Sequence, residues 1–365
     1  MLSSFSDLKV IHTDENHGLG SWCPEALLTP PMLARVPETS RTKTTRLMHY
    51  YRNDKGVLTK EEATELRGES QAIQVEVLDL WFLAEKISDG KVPLVLHEHD
   101  LRWELNHRTI LDSPFYRTRV GRMKITQGLM RPWMLGRAEA FELRAIRRAA
   151  HVIVVSERDR EVLIKKVPEA AGKVIAIPSC VDTRQYEPHY GLMKGEKKHV
   201  AFVGKLDYIP NAEAVNSICD DIAPAFGDDV IFDIVGAPVP DRPSPKNVKF
   251  HGYVPDVRPY LSAADVCIVP LQSGSGMRMK ILEYMALGRP VVSTTKGCEG
   301  LTVTNGKNII VADRPDEFVN ALSIVLRDES RAKELGREGR KWVENEYDWR
   351  VYKDVMRGVY ESVIR

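Results

Sequence analysis

The stretch Ser273-Gly274-Ser275-Gly276-Met277-Arg278-Met279-Lys280-Ile281-Leu282-Glu283-Tyr284-Met285-Ala286-Leu287-Gly288-Arg289-Pro290-Val291-Val292 decides the fold of this chain. An apolar run, Val266 to Leu271, leads in, and Val291-Val292 leads out, so the stretch reads as strand, glycine-rich loop, helix, strand. Gly274 and Gly276 can take positive φ and let a ligand approach the backbone. The helix that follows starts with free N–H groups and the positive end of its dipole, which together make an anion site. Arg278 and Lys280 oppose that dipole; they are badly placed for helix stability and well placed for a phosphate. Glu283 shares a face with Lys280 at spacing i+3. It also lies roughly 10 Å beyond Gly276 on a helix rising ~1.5 Å per residue. From there a carboxylate can accept hydrogen bonds from the ribose hydroxyls of a nucleotide whose diphosphate sits at the loop. Met279, Ile281, Leu282, Met285 and Ala286 supply the buried side. Taken alone, the same residues also describe an ordinary crossover helix with a basic first turn.

Apolar runs on both sides of this stretch alternate with helix-length segments. Strands are expected over 200–203, 230–235, 248–254, 266–271, 290–294 and 309–312, and helices over 212–222, 257–263, 315–327 and 329–347, with a last amphipathic helix over 351–364. Such alternation means βαβ units and a parallel sheet with right-handed crossovers. The first half is less regular. A short strand is expected over 8–13, irregular chain over 18–46, strand over 72–80, helix over 81–87, and strands over 92–96, 151–156 and 174–177. Ser156-Glu157-Arg158-Asp159 has the form of a helix start. The strand over 92–96 ends in His97-Glu98-His99-Asp100, at the carboxyl end of a strand, where open α/β sheets bind ligands. His97 and His99 fall on one face, so a metal pair is conceivable. A satisfied core or loop histidine is the expectation, and no metal ligand is assigned.

The chain has 365 residues, enough for about two domains of ordinary size. The polar segment 183–198 sets the expected boundary: residues 1–190 as first domain, 191–348 as second, and 349–365 as a helix returning to the first. The net charge of +1 argues against wholesale nucleic-acid binding. No apolar run approaches the roughly 20 residues that span a bilayer, and Met1 to Ser6 lacks the form of a signal peptide. Five scattered cysteines without C-x-x-C spacing fit a reducing cytoplasm and neither a disulfide framework nor a zinc site. Residues 102–148 are basic, with Trp103, Phe115, Tyr116, Trp133 and Met134 interleaved. That pattern fits either peripheral contact with anionic lipid or a pair of solvated helices with salt-bridged faces.

Several ordered segments then carry a resemblance. They are Phe202 to Ala212, Ile234-Val235-Gly236, His251 to Val257, Val269-Pro270-Leu271, Gly274 to Glu283, Met285 to Thr294, and Glu299-Gly300-Leu301. Together they resemble the nucleotide-sugar domain of retaining GT-B glycosyltransferases, nearest to the branch of sugar transferases associated with PEP-CTERM exosortase systems. The resemblance covers about residues 198 to 365, with looser matches at His97 to Asp100, Val152 to Ser156 and Pro178 to Asp182. It implies an α/β GT-B fold, with two Rossmann-like domains of parallel sheets facing a cleft and the last helix crossing back. It implies a UDP- or GDP-sugar donor and a glycan or lipid-linked (polyprenyl) acceptor, with no cofactor and no metal, because fixed cations and a helix N-terminus stabilise the leaving diphosphate. Carried over by residue, Glu283 holds the ribose. Lys205, Arg278 and Lys280 neutralise the diphosphate beside Gly274, Gly276 and Met277. Gly236 belongs to the donor site, Gly252, Tyr253 and Val254 flank the base, and His99 approaches the reacting sugar. A cytoplasmic protein, peripheral on the inner face of the membrane, is the implied setting.

Departures from the family pattern bear on function. The glutamate expected eight residues before Glu283 is Ser275, which leaves the donor sugar open. Asn211 stands where a lysine is expected, and Cys180 where a glycine is expected. The family's first strand and its glycine-rich loop are not found, so a late start or a reduced first domain is expected. Three functions follow: an active retaining transferase; a non-catalytic GT-B scaffold or partner in glycan assembly; and, weakly, a nicotinamide oxidoreductase, which lacks its G-x-G-x-x-G.

Overall fold

The structure is a computed structural model that describes residues 9–11, 64, 67–68, 70–76, 78–104, 125–190, 195–274 and 276–364. The chain divides into two compact units, Met1–Pro178 with Tyr352–Arg365, and Ser179–Val351. The sequence expectation placed the boundary at 190/191. Residues 179–190 pack with the second unit instead: Val181 N–H donates to Tyr347 O at 2.9 Å, and His189 N–H to Leu287 O at 2.7 Å. A polar composition marked 183–198 as the boundary, but backbone groups before residue 190 are used in binding the chain to unit two.

Unit one is a five-stranded sheet, every pair parallel, in the order β1 (Lys9–Ile11), β2 (Ile73–Val75), β3 (Leu94–Glu98), β4 (His151–Val154), β5 (Val174–Ala176). The expected strand over 72–80 stops at Val75 and gives way to a 3-10 turn over Leu78–Leu80. Helices α1 (Trp81–Ser88), α2 (Ile125–Arg148) and α3 (Glu157–Lys166) follow. Ser156 caps α3 by accepting a hydrogen bond from Asp159 N–H at 3.0 Å, as the sequence anticipates. Leu94 and Leu96 point into a core with Trp81, Ile146 and Leu163. Val95 points the other way, with Ile153 and Ile177, and this second face is covered by Val359 and Tyr360.

The basic stretch is only partly described. Residues 105–124, with Phe115 and Tyr116, and the side chains of 125–135, with Trp133 and Met134, lie outside the described residues, as does the irregular segment 18–46. The described arginines at the end of α2 are paired with carboxylates from other elements: Arg148 with Glu85 at 2.7 Å, Arg144 with Glu85 at 3.3 Å, and Arg147 with Glu169 at 2.8 Å. Counting charge along the chain overstated the excess because it missed those partners. Among the described residues, no helix is long and apolar enough to cross a membrane.

Unit two is a six-stranded parallel sheet built from β6 (Lys198–Val203), β7 (Val230–Val235), β8 (Val248–Gly252), β9 (Val266–Val269), β10 (Val291–Ser293) and β11 (Ile310–Val311), in the order β11-β10-β9-β6-β7-β8. Its helices are α4 (Ile209–Ser217), α5 (Arg258–Ala263), α6 (Met279–Ala286), α7 (Pro315–Arg327) and α8 (Glu329–Glu346). Strands β6, β9 and β10 are near-continuous apolar runs because helices cover both faces. Strand order runs one way from β6 through β7 to β8, and the other way from β9 through β10 to β11. The reversal between β6 and β9 is the topological switch point, where open α/β sheets bind ligands beyond the carboxyl ends of the strands. α9 (Trp349–Val363) begins in unit two, where Val181 bridges Asp348, and its residues from Tyr352 onward belong to unit one.

Candidate functional site

β6 ends in Gly204-Lys205 and β9 ends before the loop Pro270–Arg278, so two of the sequence-marked segments meet at the switch point of unit two. Tyr284, fully buried on α6, ties them together by accepting a hydrogen bond from Val203 N–H at 2.9 Å. Gly274 and Gly276 both have positive φ, 104° and 75°. At Gly274 a Cβ would stand 2.7 Å from the Arg278 guanidinium and 3.0 Å from Pro210, so only glycine lets the loop close. The loop is anchored on α4, where Glu213 accepts a hydrogen bond from the Ser273 hydroxyl. Ser275, the departure from the family pattern, lies outside the described residues.

Arg278 folds back over this loop and donates to Gly276 O at 3.1 Å. Lys280, in the first turn of α6, is buried, with its ammonium 2.8 Å from Asn211 Oδ1 and 4.3 Å from the centre of the Phe202 ring. Asn211 in turn donates its amide to Lys205 O at 2.9 Å. Asn211, which stands where the family has a lysine, therefore works as the clamp that aims Lys280 and braces the Lys205 loop. Phe202 adds a cation–π contact worth about 0.5–2 kcal/mol. Neither role has a sequence signal, because both depend on where α4 and β6 meet.

Removal from water, and then the charge of Arg278, push Lys280 down to about 7, with Glu283 acting the other way. Glu283 is half-buried; loss of solvent pushes its carboxyl up to about 7, opposed by Lys280 and by a hydrogen bond from Tyr186. Tyr186 is a second partner the sequence did not reveal. Lys280 thus carries a charge that its burial and the neighbouring Arg278 both disfavour. An anion between the glycine loop and Lys280 would favour that charge.

The remaining residues singled out in unit two are distributed around the same strand ends. Gly236, at the end of β7, has φ 144°, and a Cβ there would sit 1.8 Å from Gly204 O, so the β6 and β7 ends touch through bare backbone. Its N–H donates to Gly252 O at 2.8 Å, which places Gly252, Tyr253 and Val254 beside it. Tyr253 is 80% exposed, a free aromatic face, while Val254 and Met277 are half-buried. Lys205 is half-exposed and 3.7 Å from Asp207, a surface pair worth little on its own.

His99 lies in unit one. Its Nε2 is 3.0 Å from Glu76 Oε2. His97 Nδ1 is also 3.0 Å from that oxygen, and the two rings lie 4.3 Å apart. The expectation of a satisfied core histidine is met only in part at His97: it is 1% exposed, its Nδ1 faces Glu76, and its Nε2 makes no hydrogen bond. Burial holds His97 below its ordinary range, and its two histidine neighbours hold Glu76 well below the carboxylate range despite burial. Glu76, on the strand beside the histidines, was invisible in the sequence because 20 residues separate it from His97.

Residues 197–328 match the family described as "Glycosyl transferases group 1". The chain is 23% identical over 250 residues to spore coat protein SA of Bacillus subtilis, covering 58% of this chain and 65% of that protein. It is 30% identical over 126 residues to the GDP-mannose-dependent monoacylated alpha-(1-6)-phosphatidylinositol monomannoside mannosyltransferase of Corynebacterium glutamicum, covering 32% of this chain and 33% of that protein. The matches therefore span about two thirds and one third of these curated relatives. The structure is similar to that of Anabaena HepE in complex with UDP-glucose, with a TM-score of 0.59 and 16% identity over 83% of this chain and 82% of that one. At that identity the likeness is one of fold. The chain forms two α/β units with parallel sheets, a fold it shares with GT-B glycosyltransferases of solved structure, and its similarity to the group 1 glycosyltransferase family lies within unit two.

Proposed function

We propose that this protein is a glycosyltransferase that moves a sugar, with retention, from a UDP- or GDP-sugar to a glycan or lipid-linked acceptor in cell-surface polysaccharide or glycoconjugate synthesis. The observation that carries the reading is the buried Lys280, aimed by Asn211 and Phe202 and crowded by Arg278 at the switch point of unit two. A buried lysine whose charge its own surroundings disfavour calls for an anionic partner, and a diphosphate at a glycine loop and helix start is the anion such sites take.

In this reading Arg278, Lys280 and the N–H groups at the start of α6 stabilise the diphosphate as charge develops on it, with no metal ion at the diphosphate. Lys205 adds an outer charge. Glu283, held by Tyr186, accepts from the ribose hydroxyls, and Tyr253 offers its exposed face to the base. Acid–base help from His99 at the reacting sugar is a proposal that rests on the sequence resemblance. Two comparisons support the donor class: the Corynebacterium relative is named for GDP-mannose dependence, and the Anabaena structure holds UDP-glucose.

Calorimetry with UDP and GDP, followed by donor hydrolysis across a sugar panel, tests the proposal. Binding of one nucleotide diphosphate with turnover of a matching sugar is the expected result. If neither nucleotide binds, and Glu283→Ala changes nothing, the transferase reading fails. Binding without any turnover would favour the scaffold reading instead. Peripheral contact through residues 102–148 is a separate proposal, tested by co-sedimentation with anionic vesicles; binding that weakens as salt rises supports it, and absent or salt-insensitive binding overturns it.

A further inference from the structure

The Glu76–His97–His99 cluster sits on the face of the unit-one sheet that α9 covers. β2 and β3 pair with Val75 opposite Leu96, which continues to Glu76 opposite His97; His99 follows two residues on, along the same face. Glu76 Oε1 accepts from the Gln74 amide, and Gln74 Oε1 accepts from the Tyr360 hydroxyl of α9. Those bonds orient the carboxylate and leave Oε2 facing the two rings.

Hydrogen bonding alone accounts for only part of this. His99 Nε2 is bonded to Oε2, His97 Nδ1 stands 3.0 Å from the same oxygen, and His97 Nε2 has no partner. An unpartnered polar group buried this deeply costs about 1–3 kcal/mol. A cation between Oε2 and the two rings would use the Nδ1 lone pair of a neutral His97, with the ring proton carried on Nε2. The three donor atoms lie within 4.8 Å of one another. Ligands about 2 Å from a tetrahedral ion stand roughly 3.3 Å apart, close to the 3.0 Å seen between Oε2 and each nitrogen.

We propose that Glu76, His97 and His99 form a binding site for one divalent transition-metal ion of the zinc class, coordinated by the Glu76 carboxylate, His97 Nδ1 and His99 Nε2. Two imidazoles and one carboxylate are the donor set of zinc sites that keep a position open; magnesium and calcium prefer all-oxygen surroundings. Gln74 and Tyr360 supply the outer bonds that fix a ligating carboxylate. The side chain of His99 is 32% exposed, which leaves the ion a way in from that side. Occupancy would take the Nε2 of His99 out of the acid–base role proposed above, so the two assignments of His99 exclude one another and the metal titration decides between them. The site is separate from the nucleotide reading of unit two and stands or falls without it.

The test is a titration of the full chain, first stripped with a chelator. Cobalt(II) is followed by its visible absorption and zinc by calorimetry, with magnesium as the comparison. Saturation at one equivalent of cobalt or zinc, and none with magnesium, is expected. Because His97→Ala risks the core, Glu76→Gln and His99→Ala carry the test; each should weaken binding by about 100-fold or more, and Gln74→Leu by about 10–100-fold. His199→Ala, in unit two and held by Asp233 at 2.6 Å, should change nothing. Failure to saturate at one equivalent, or saturation that survives both Glu76→Gln and His99→Ala, overturns the site.

Discussion

Asn211 Oδ1 accepts a hydrogen bond from the buried ammonium of Lys280 at 2.8 Å, across 69 residues of sequence. The bond joins α4 to α6 at the point where strand order reverses in unit two, and it sets the direction in which the lysine presents its charge. Removing it should loosen the lysine without removing it. Asn211→Ala is expected to weaken UDP or GDP binding by about tenfold, in line with a hydrogen bond to a charged group, as read by calorimetry.

Replacing the lysine itself separates function from stability. Lys280→Met should cut nucleotide affinity by roughly 100-fold. It should also leave the melting temperature unchanged or higher, because a buried charge gives way to an apolar side chain of similar size. A melting temperature that falls by many degrees would show that the lysine is structural.

The pH dependence follows from the same pair. Lys280 lies at about 7 against an ordinary 10.5, so between those values the unfolded chain binds more protons and stability should rise with pH. Glu283 lies at about 7 against 4.5, so in that interval the folded chain binds more protons and stability should fall as pH rises. The pair therefore contributes least to stability near pH 7, where binding is best served by a charged lysine and an ionised carboxylate. Nucleotide affinity should fall on both sides of about pH 7, and the alkaline limb should vanish in Lys280→Met.

Glu283 and Tyr186 should matter for the ribose and not for the phosphates. Glu283→Gln is expected to reduce the preference for UDP over its 2′,3′-dideoxy analogue by about tenfold, with Tyr186→Phe changing it less. An unchanged preference in Glu283→Gln would remove the carboxylate from the ribose role.

The contact of the β6 and β7 ends through bare backbone predicts that Gly236→Ala destabilises the protein by about 2–4 kcal/mol. Gly358→Ala, in α9 with nothing within 4 Å of the added Cβ, should be neutral or stabilising by up to about 1 kcal/mol. Thermal melts of the two variants provide the comparison.

The parallel sheet of unit two was legible because its buried strands are short apolar runs punctuated by glycine and proline. The donor loop was legible because glycine, cation and carboxylate fall within one local stretch, Gly274 to Glu283. What the sequence hid were partners brought in by topology. Asn211 and Phe202 reach Lys280 from α4 and β6, Tyr186 reaches Glu283 from the segment read as the domain boundary, and Glu76 reaches His97 and His99 from the neighbouring strand. The partners of the basic stretch were hidden for the same reason, since Glu85 and Glu169 pair with α2 from outside it.

The most direct test of the central claim is the affinity of the full chain for UDP and GDP, measured by calorimetry beside Lys280→Met at pH 7. The account predicts that one nucleotide binds with one-to-one stoichiometry and that the variant, equally folded by its melting temperature, loses roughly 100-fold in affinity. Binding of neither nucleotide, or equal binding by a folded Lys280→Met, would contradict it.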